Sequence, residues 1–476
     1  MPKNAQFILE GLNVQSVASK GKAIARDAEG RVVFIKGAVP GDVVKVQVQK
    51  KRKQHLEGTL IELTQASPLR VPAQCQHFGL CGGCSWQNLL YSEQLKAKQN
   101  EVINHLERLG GLELPECEPI LPAPEIYRYR NKLEYSFSGE RWLEAHEVAN
   151  TAENFDRRAA GFHIPGRWDR VFNVNTCHLQ PEPSNLIRDF IKQYAIKQNW
   201  SFYHPRQKQG FLRSLMLRNN SRGDFMVMLQ VAENRSRELH ELLSALQEAF
   251  SEIKSIWYAF NDKANDSLYE LDMQHFWGQA LITETMPGFR GAADLHFNIG
   301  PKSFYQTNPK QAAELYRIAL EFANLQNEAL VYDLYTGTGT LALYMAQKAK
   351  QVIGIEGVEA AVADARLNAE LNGISNAQFF AGDMRKVLDA QFIRTHGKPQ
   401  MLLTDPPREG MHPDVVKQII EIAPPKWVYI SCNSATQARD LGLMKEHYEI
   451  EKLQPVDMFP HTAHIENVVL LKQRNL

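Results

Sequence analysis

The chain has 476 residues, 44% of them hydrophobic and 23% charged, with 54 basic and 54 acidic side chains. That length exceeds one ordinary core, so two or three domains are expected. The balanced charge excludes a protein that coats nucleic acid over its whole surface, and no stretch approaches the roughly 18 apolar residues of a spanning helix. Residues 1–10 lack the basic flank and apolar run of a signal peptide, so a cytoplasmic protein is expected.

Residues 8–65 read as five short strands, Ile8–Val17, Lys22–Ala25, Val32–Ile35, Val43–Val48 and Leu56–Leu63. Asp27-Ala-Glu-Gly30 and Val39-Pro-Gly-Asp42 supply the turns. Five strands in so few residues predict a small closed barrel of the oligonucleotide-binding (OB) type. Residues 1–70 also hold 12 Lys and Arg against 6 Asp and Glu, with the run Lys50-Lys-Arg-Lys53. On a neutral body such a basic module suits a protein that touches phosphates with one part only; a solvated hairpin tip is the plainer alternative.

A loop with three cysteines follows, then a polar helix from about Ser92 to Leu109, stopped by Gly110-Gly111. From about 118 to 295, mixed strands and helices predict an α+β domain. After about residue 296 strands at 330–334, 352–355, 401–404 and 427–431 alternate with helices at 341–349, 358–372 and 413–422, the pattern of a doubly wound parallel sheet. Tyr448–Val456 and Glu466–Leu471 lie too close for a crossover and predict a closing antiparallel pair, as in methyltransferases of this architecture.

Leu330-Val-Tyr-Asp-Leu-Tyr-Thr-Gly-Thr-Gly-Thr340 places a glycine turn between a buried strand and a helix, where Gly337 and Gly339 would let backbone approach a ligand. Glu356 ends the next strand, where a carboxylate can take both ribose hydroxyls. A nicotinamide dinucleotide would use similar parts, but Ala342 replaces the third glycine and Asp333 suits a methyl donor better. Asp383 follows the third strand, either facing an adenine or capping a helix. Gln306 is, by pattern alone, a polar loop residue.

Thr404-Asp-Pro-Pro-Arg408 and Tyr429-Ile-Ser-Cys-Asn433 follow the fourth and fifth strands, so Asp405 and Cys432 point to the ligand edge of the sheet. Asp-Pro-Pro also serves enzymes that methylate amino nitrogens; Cys432 separates the two. C5 of uracil cannot attack a methylsulfonium unaided, whereas a thiolate added at C6 makes C5 nucleophilic, and a base must then remove the C5 proton. Glu466 begins an antiparallel strand, which puts it on the same edge as Cys432. Without such a partner, Cys432 would read as an inert buried thiol and Glu466 as an edge-strand charge. Cys75, Cys81 and Cys84 share one loop, with Cys177 a distant fourth; four thiolates suit zinc or an iron–sulfur cluster, the single short pair leaning to the latter. Cys117 stands outside the pattern.

Residues 30–42 resemble a TRAM domain. Taken with Cys-x5-Cys-Gly-Gly-Cys84, Tyr127-Arg-Tyr-Arg-Asn131, Gly161-Phe-His-Ile-Pro-Gly166, Phe304-x-Gln306, Asp333–Gly339, Asp405-Pro-Pro-Arg408, Ser431-Cys-Asn433 and Phe459-Pro-His-Thr-x-His-x-Glu466, the chain resembles the RumA-type 23S rRNA uracil-C5-methyltransferases over nearly its whole length. The resemblance implies Cys432 as nucleophile, Glu466 as proton acceptor, and S-adenosylmethionine contacts from Gln306, Tyr335, Glu356 and Asp405. It also implies a [4Fe-4S] cluster on Cys75, Cys81, Cys84 and Cys177. Thr340 and Asp383 stand where some relatives have Asn. The similar tRNA enzymes of many bacteria lack the barrel and the cluster, so structured RNA, 23S rRNA first, is the expected partner, with no obligate protein partner evident. The expected architecture is multidomain: a TRAM barrel at 1–67, an α+β domain with the iron–sulfur loop at 68–295, against whose neighbour the helix at 92–111 could pack, and a Rossmann-like methyltransferase domain at 296–476.

Overall fold

The computed structural model describes residues 7–18, 21–150, 155–263, 265, 267, 268 and 270–474; residues 1–6 and 475–476 of the expected outer domains lie outside them. Strands β1 (Phe7–Val17), β2 (Ala23–Arg26), β3 (Val32–Lys36), β4 (Val43–Lys51) and β5 (His55–Gln65) close a barrel in the order β1-β2-β3-β5-β4. Alternation does the sorting: Val44, Val46 and Val48 point inward with Val33, Ile35 and Leu56, while Lys45 and Gln47 face outward. The basic run lies exposed at the β4–β5 tip.

The middle of the chain forms β6 (Lys132–Ser138), β7 (Ala159–Ile164), β8 (Arg167–Asn173), β9 (Leu212–Asn219), β10 (Phe225–Val231), β11 (Ile253–Phe260) and β12 (Gln274–Gly278). They make one sheet in the order β12-β11-β10-β9-β6-β7-β8. Helices Ser184–Lys197 and Ser236–Ala249 cover it, joining Ile187, Ile191, Leu239 and Leu243 to one core.

The hairpin β13 (Ile282–Met286) and β14 (Leu295–Ile299) precedes the third sheet, built of β15 (Leu330–Leu334), β16 (Gln351–Glu356), β17 (Ala377–Ala381), β18 (Met401–Thr404), β19 (Lys426–Ser431), β20 (Tyr448–Val456) and β21 (Glu466–Gln473). Its order is β17-β16-β15-β18-β19-β21-β20; the first five run parallel, and β21 is antiparallel to both neighbours. Counted by core, this unit begins at β13, earlier than the boundary at 296 read from the pattern. Ile282, Met286 and Leu295 pack with Leu315, Val331 and Val428 in the same core, and a two-stranded hairpin gives the strand–helix alternation no early sign. Among the described residues no helix is long and apolar enough to cross a membrane.

Helix Tyr91–Asn104 and its π-turn His105–Leu109 pack on this third unit: Val102 and Leu106 are fully buried with Leu441 and Leu453. The same helix carries Lys98, buried at 1% exposure, whose Nζ donates to Asp457 Oδ1 at 2.5 Å and to the Phe459 carbonyl at 3.1 Å. Tyr91 Oη donates to Asp457 Oδ2 at 2.8 Å, and Gln94 Oε1 accepts the His461 amide at 3.0 Å. The loop before Glu466 is therefore pinned by a helix more than 350 residues earlier in the chain. Lys98→Met leaves Asp457 a buried, uncompensated charge and is expected to destabilise the protein by about 3–5 kcal/mol. Chemical denaturation should show most of that loss recovered in the double variant Lys98→Met, Asp457→Asn; a single variant as stable as wild type would contradict this account.

Candidate active site

The parallel strands β15 and β18 leave the sheet in opposite directions at their carboxyl ends, the place where an open α/β sheet opens a crevice. A cavity of about 620 Å³ sits there. Asp333, Tyr335 and Gly337 reach it from the end of β15, Asp405 and Arg408 from β18, Cys432 from β19, Glu466 from β21 and Gln306 from the loop before helix Pro309–Ala323.

Gly337 has φ +56°, and a Cβ placed on it would meet nothing within 4 Å, so its backbone faces open space. Gly339, also left-handed, does something different: its missing Cβ leaves room for Ala365 and Phe379, 3.0 and 3.1 Å from where that atom would be. It lets the turn pack down on the protein and does not line the cavity. Tyr335 takes φ +66° without being glycine, a strained turn held by the hydrogen bond its N–H donates to the Ile355 carbonyl at 2.9 Å. Glu356 sits behind the turn, accepting from the Gly337 amide at 3.1 Å and the Val358 amide at 2.9 Å. Asp383 caps the short helix Met384–Val387 and is paired with Arg385, which holds its carboxyl down at about 2. The Gly382 amide bonds the Glu356 carbonyl, so Asp383 lies beside the end of β16.

Cys432 and Glu466 meet through strand register. Ser431 pairs with Asn467 across β19 and β21, so Cys432 and Glu466, the next residues outward, face one another at the cavity edge. Glu466 is 4% exposed, and burial followed by the nearby Asp405 pushes its carboxyl well above the usual range. Burial likewise lifts Asp405 to about 7 and Asp333 to about 7. Cys432 is pushed up to about 12 by burial, then by Glu466 and Asp405, with Arg408 acting in the other direction. The cavity is thus lined by acidic groups whose burial favours their protonated forms, and a cation placed among them would favour the charged ones.

Residues that the sequence motifs contained without a firm role complete the lining. Arg130 enters from the middle of the chain, its guanidinium 5.8 Å from the Phe459 ring centre. Arg408 and His464 meet at 2.9 Å, and the Arg408 carbonyl accepts from Asn433 and Thr436. Phe304 is 61% exposed at the mouth. Their signal in the sequence was membership of the motifs Tyr127–Asn131, Phe304-x-Gln306, Asp405-Pro-Pro-Arg408 and the segment before Glu466, where His461 and His464 could read as bases or as structural residues. His461, by contrast, is buried away from the cavity on Gln94, its ring tilted against Tyr127 with centres 4.5 Å apart.

Cys75, Cys81, Cys84 and Cys177 line a second cavity of about 310 Å³. Among the described residues no three Cys, His, Asp or Glu side chains converge on a single metal position, and all six cysteines are unbridged. Burial pushes the Cys177 thiol up to about 11 and the Cys84 thiol up to about 12; the fully buried Arg188, which donates to the Asn175 carbonyl at 2.6 Å, offsets only a small part of this at Cys177. Gly82, with φ +75°, lies so close to Pro165 that a Cβ would come within 2.2 Å of its ring, which seats the cysteine loop on the β7–β8 turn. Cys117 lies elsewhere, its thiol donating to the Glu118 carbonyl.

A doubly wound sheet of this order, closed by an antiparallel hairpin and opening on a glycine turn, is the fold of S-adenosylmethionine-dependent methyltransferases. Comparison with known proteins narrows the class. The family described as tRNA (Uracil-5-)-methyltransferase matches residues 278–474, and the TRAM domain matches 10–61. An RNA methyltransferase of Bacteroides thetaiotaomicron, described as uncharacterized, is 47% identical, covering 96% of this chain and 100% of its own. One of Porphyromonas gingivalis, described likewise, is 44% identical over 97% and 99%. The chain belongs to the RNA (uracil-5-)-methyltransferase family and carries a TRAM barrel at its start. Among solved structures it is similar to the tRNA (uracil-54, C5)-methyltransferase of Pyrococcus abyssi in complex with S-adenosyl-L-homocysteine. Their TM-score is 0.75 and identity 26%, over 97% of this chain and 100% of the other.

A buried pocket whose carboxyls titrate near 7 should bind a sulfonium cation better once they ionise. S-adenosylmethionine affinity is expected to rise by roughly tenfold from pH 6 to pH 8, and that of uncharged-sulfur S-adenosylhomocysteine much less. Calorimetric titration at both pH values checks this; equal pH dependence for the two ligands would count against it.

Proposed function

We propose that this chain methylates C5 of one or more uridines in 23S rRNA through a covalent adduct with Cys432, with Glu466 as the proton acceptor. The observation that carries the reading is the pairing of β19 with β21, which sets a thiol and a carboxyl face to face beside the glycine turn. The work would be done in the cytoplasm, where the RNA is, on a uridine flipped out of its stack.

The residues divide the chemistry as follows. The Cys432 thiolate adds to C6 of uracil, moving the ring electrons onto O4 and making C5 nucleophilic. In the free pocket burial holds this thiol protonated, so Arg408 and the bound sulfonium are what bring the thiolate within reach. C5 then takes the methyl group from S-adenosylmethionine, which supplies an activated carbon and departs as S-adenosylhomocysteine. The cation is now gone, so the buried Glu466 carboxylate becomes a stronger base when it is needed. Glu466 takes the C5 proton, the C6–S bond breaks and the thiolate is released. Gln306, Tyr335, Gly337 and Asp405 line the donor cavity; Glu356 and Asp383, bonded at the end of β16, are proposed as its ribose and adenine ends, with Gly339 shaping the turn from below.

Cys75, Cys81, Cys84 and Cys177 fit a [4Fe-4S] cluster: four unbridged thiols share a cavity beside a buried cation. A cluster there would supply a covalent clasp between the cysteine loop and the segment before helix Ser184–Lys197. Protein purified without oxygen is expected to contain iron and sulfide and to absorb in the visible; chelation or any Cys→Ser change at these four positions should lower Tm. Colourless, iron-free protein of unchanged stability would remove the cluster from the reading.

A second substrate has a specific observation behind it. The similar solved enzyme acts on tRNA, by its name, and matches this chain along its whole length, so a barrel does not by itself select ribosomal RNA. Unmodified rRNA and tRNA carrying tritium at C5 of uridine separate the two. Release into water that requires both donor and Cys432 is expected from rRNA; release from tRNA alone keeps the mechanism and changes the substrate. Glu466→Gln should stall after methyl transfer and accumulate protein–RNA adduct. Release from neither RNA by folded protein with an intact cluster and bound donor would favour a non-catalytic assembly role.

A further inference from the structure

The β7–β8 hairpin carries a large aromatic side chain that the fold does not use. Trp168 is 65% exposed, and no hydrogen bond, ring or cation among the described residues engages its side chain. The backbone is shaped to present it. Ile164 pairs with Arg167 and His163 with Val171, so Trp168, Asp169 and Arg170 bulge out of the ladder between them. The hairpin has a firm base, because its Pro165 is the residue on which Gly82 seats the cysteine loop. A cavity of about 770 Å³ opens beside the indole, lined also by Arg167, Pro205 and Ser136–Ser138 of β6.

Cations outnumber carboxylates around it. Segments 155–173 and 201–210 hold six Lys and Arg against two Asp. The buried Asp169 takes two of these cations at once: Arg167 Nε donates to Oδ1 at 3.1 Å, and Arg206 Nη2 to Oδ2 at 2.6 Å. Both side chains stay open to solvent, 47% exposed for Arg167 and 63% for Arg206. Glu140 is shared in the same way by Arg157, Arg170 and His204. One carboxylate fixing two guanidiniums leaves a net positive charge held in place, which suits a phosphate. Strand β6 sets the distance from the chemistry. Its Lys132–Glu134 line the cysteine cavity, which shares Arg130 with the active site, and its Ser136–Ser138 line the cavity beside Trp168. At about 3.3 Å per residue, Lys132 to Ser138 spans about 20 Å. The patch therefore lies outside the catalytic pocket.

We propose that the β7–β8 hairpin holds single-stranded RNA away from the active site, an unpaired base stacking on Trp168 while neighbouring phosphates lie on Arg167 and Arg206. An indole face accepts any base, and guanidiniums beside it accept the backbone, the combination by which unpaired nucleic acid is gripped without readout of sequence. A duplex offers the indole no free base face. An acidic peptide would satisfy the arginines without any need for the indole, whereas an unpaired nucleotide uses both. That the strand belongs to the RNA being modified rests on the methylation reading; that a base stacks on Trp168 does not.

Titrating the full-length protein into a labelled, unstructured RNA of about 12 nucleotides, and into an abasic oligomer of equal length, tests the surface directly. Trp168→Ala should weaken binding of the RNA about tenfold, the usual cost of losing one stacked base, and leave binding of the abasic oligomer unchanged. Trp168→Phe keeps an aromatic face and should keep most of the affinity, while losing most of the RNA-dependent quenching of tryptophan fluorescence. Arg206→Gln, with Arg167 still on Asp169, should weaken both oligomers alike and flatten their salt dependence. Unchanged RNA affinity in Trp168→Ala, or an equal loss on the abasic oligomer, would overturn the proposal. If Trp168→Ala does not fold, quenching that persists in Trp168→Phe overturns it instead. With an RNA that is methylated, Trp168→Ala should raise KM severalfold and leave kcat unmoved; an unmoved KM also counts against the surface. Should no RNA be methylated while Trp168-dependent binding is found, the surface stands and the methylation reading falls.

Discussion

The antiparallel pairing of β21 into the edge of a parallel sheet is the constraint on which the site depends. Strand register is quantised, and a slip of one residue would turn every side chain of β21 to the other face. Here Val468, Val469 and Leu470 are buried against two cores at once, on both faces of the sheet, so a slip would disrupt both. The cost of that disruption is what keeps Glu466 opposite Cys432. The juxtaposition of Cys432 and Glu466 is thus protected by packing several residues away from it.

The loop that feeds β21 carries the second constraint. Lys98 and Asp457 form a fully buried ion pair, a costly arrangement unless each partner finds further hydrogen bonds. They do, through Tyr91, the Phe459 carbonyl and the Phe459 amide. The same loop bonds back to the cysteine segment, where the Ser85 and Trp86 amides share the His461 carbonyl. Trp86 in turn packs with Val39 of the barrel and donates to the Gly21 carbonyl. Barrel, cysteine loop and the loop before Glu466 are therefore one continuous packed path, and the geometry at Glu466 rests on all three.

Electrostatics inside the site follow from that burial. Three carboxyls and a thiol share a desolvated pocket with Arg408 at its edge, and each is displaced toward its protonated form. In the proposed mechanism a cationic donor entering this pocket would favour the charged forms, coupling readiness of the thiol to arrival of the donor. Asp383, half-buried and paired with Arg385, stays outside this regime.

Local pattern made much of this legible. Alternation in the barrel strands, the glycine turn after β15, and the motif ends carrying Asp405, Cys432 and Glu466 are written in consecutive residues, because strand period, turn chemistry and sheet polarity act over a few positions. Even the meeting of Cys432 and Glu466 could be argued, since an antiparallel strand must begin at the edge where its parallel neighbours end. Contacts that close only in three dimensions carried no such mark. Lys98 with Asp457, Arg130 beside Phe459, the hairpin β13–β14 joining the third core, and Gly339 packing on Phe379 each join segments with no periodic relation. Short-range sterics and hydrogen bonding choose the elements, whereas the burial of charge and the sharing of cores are properties of the packed whole.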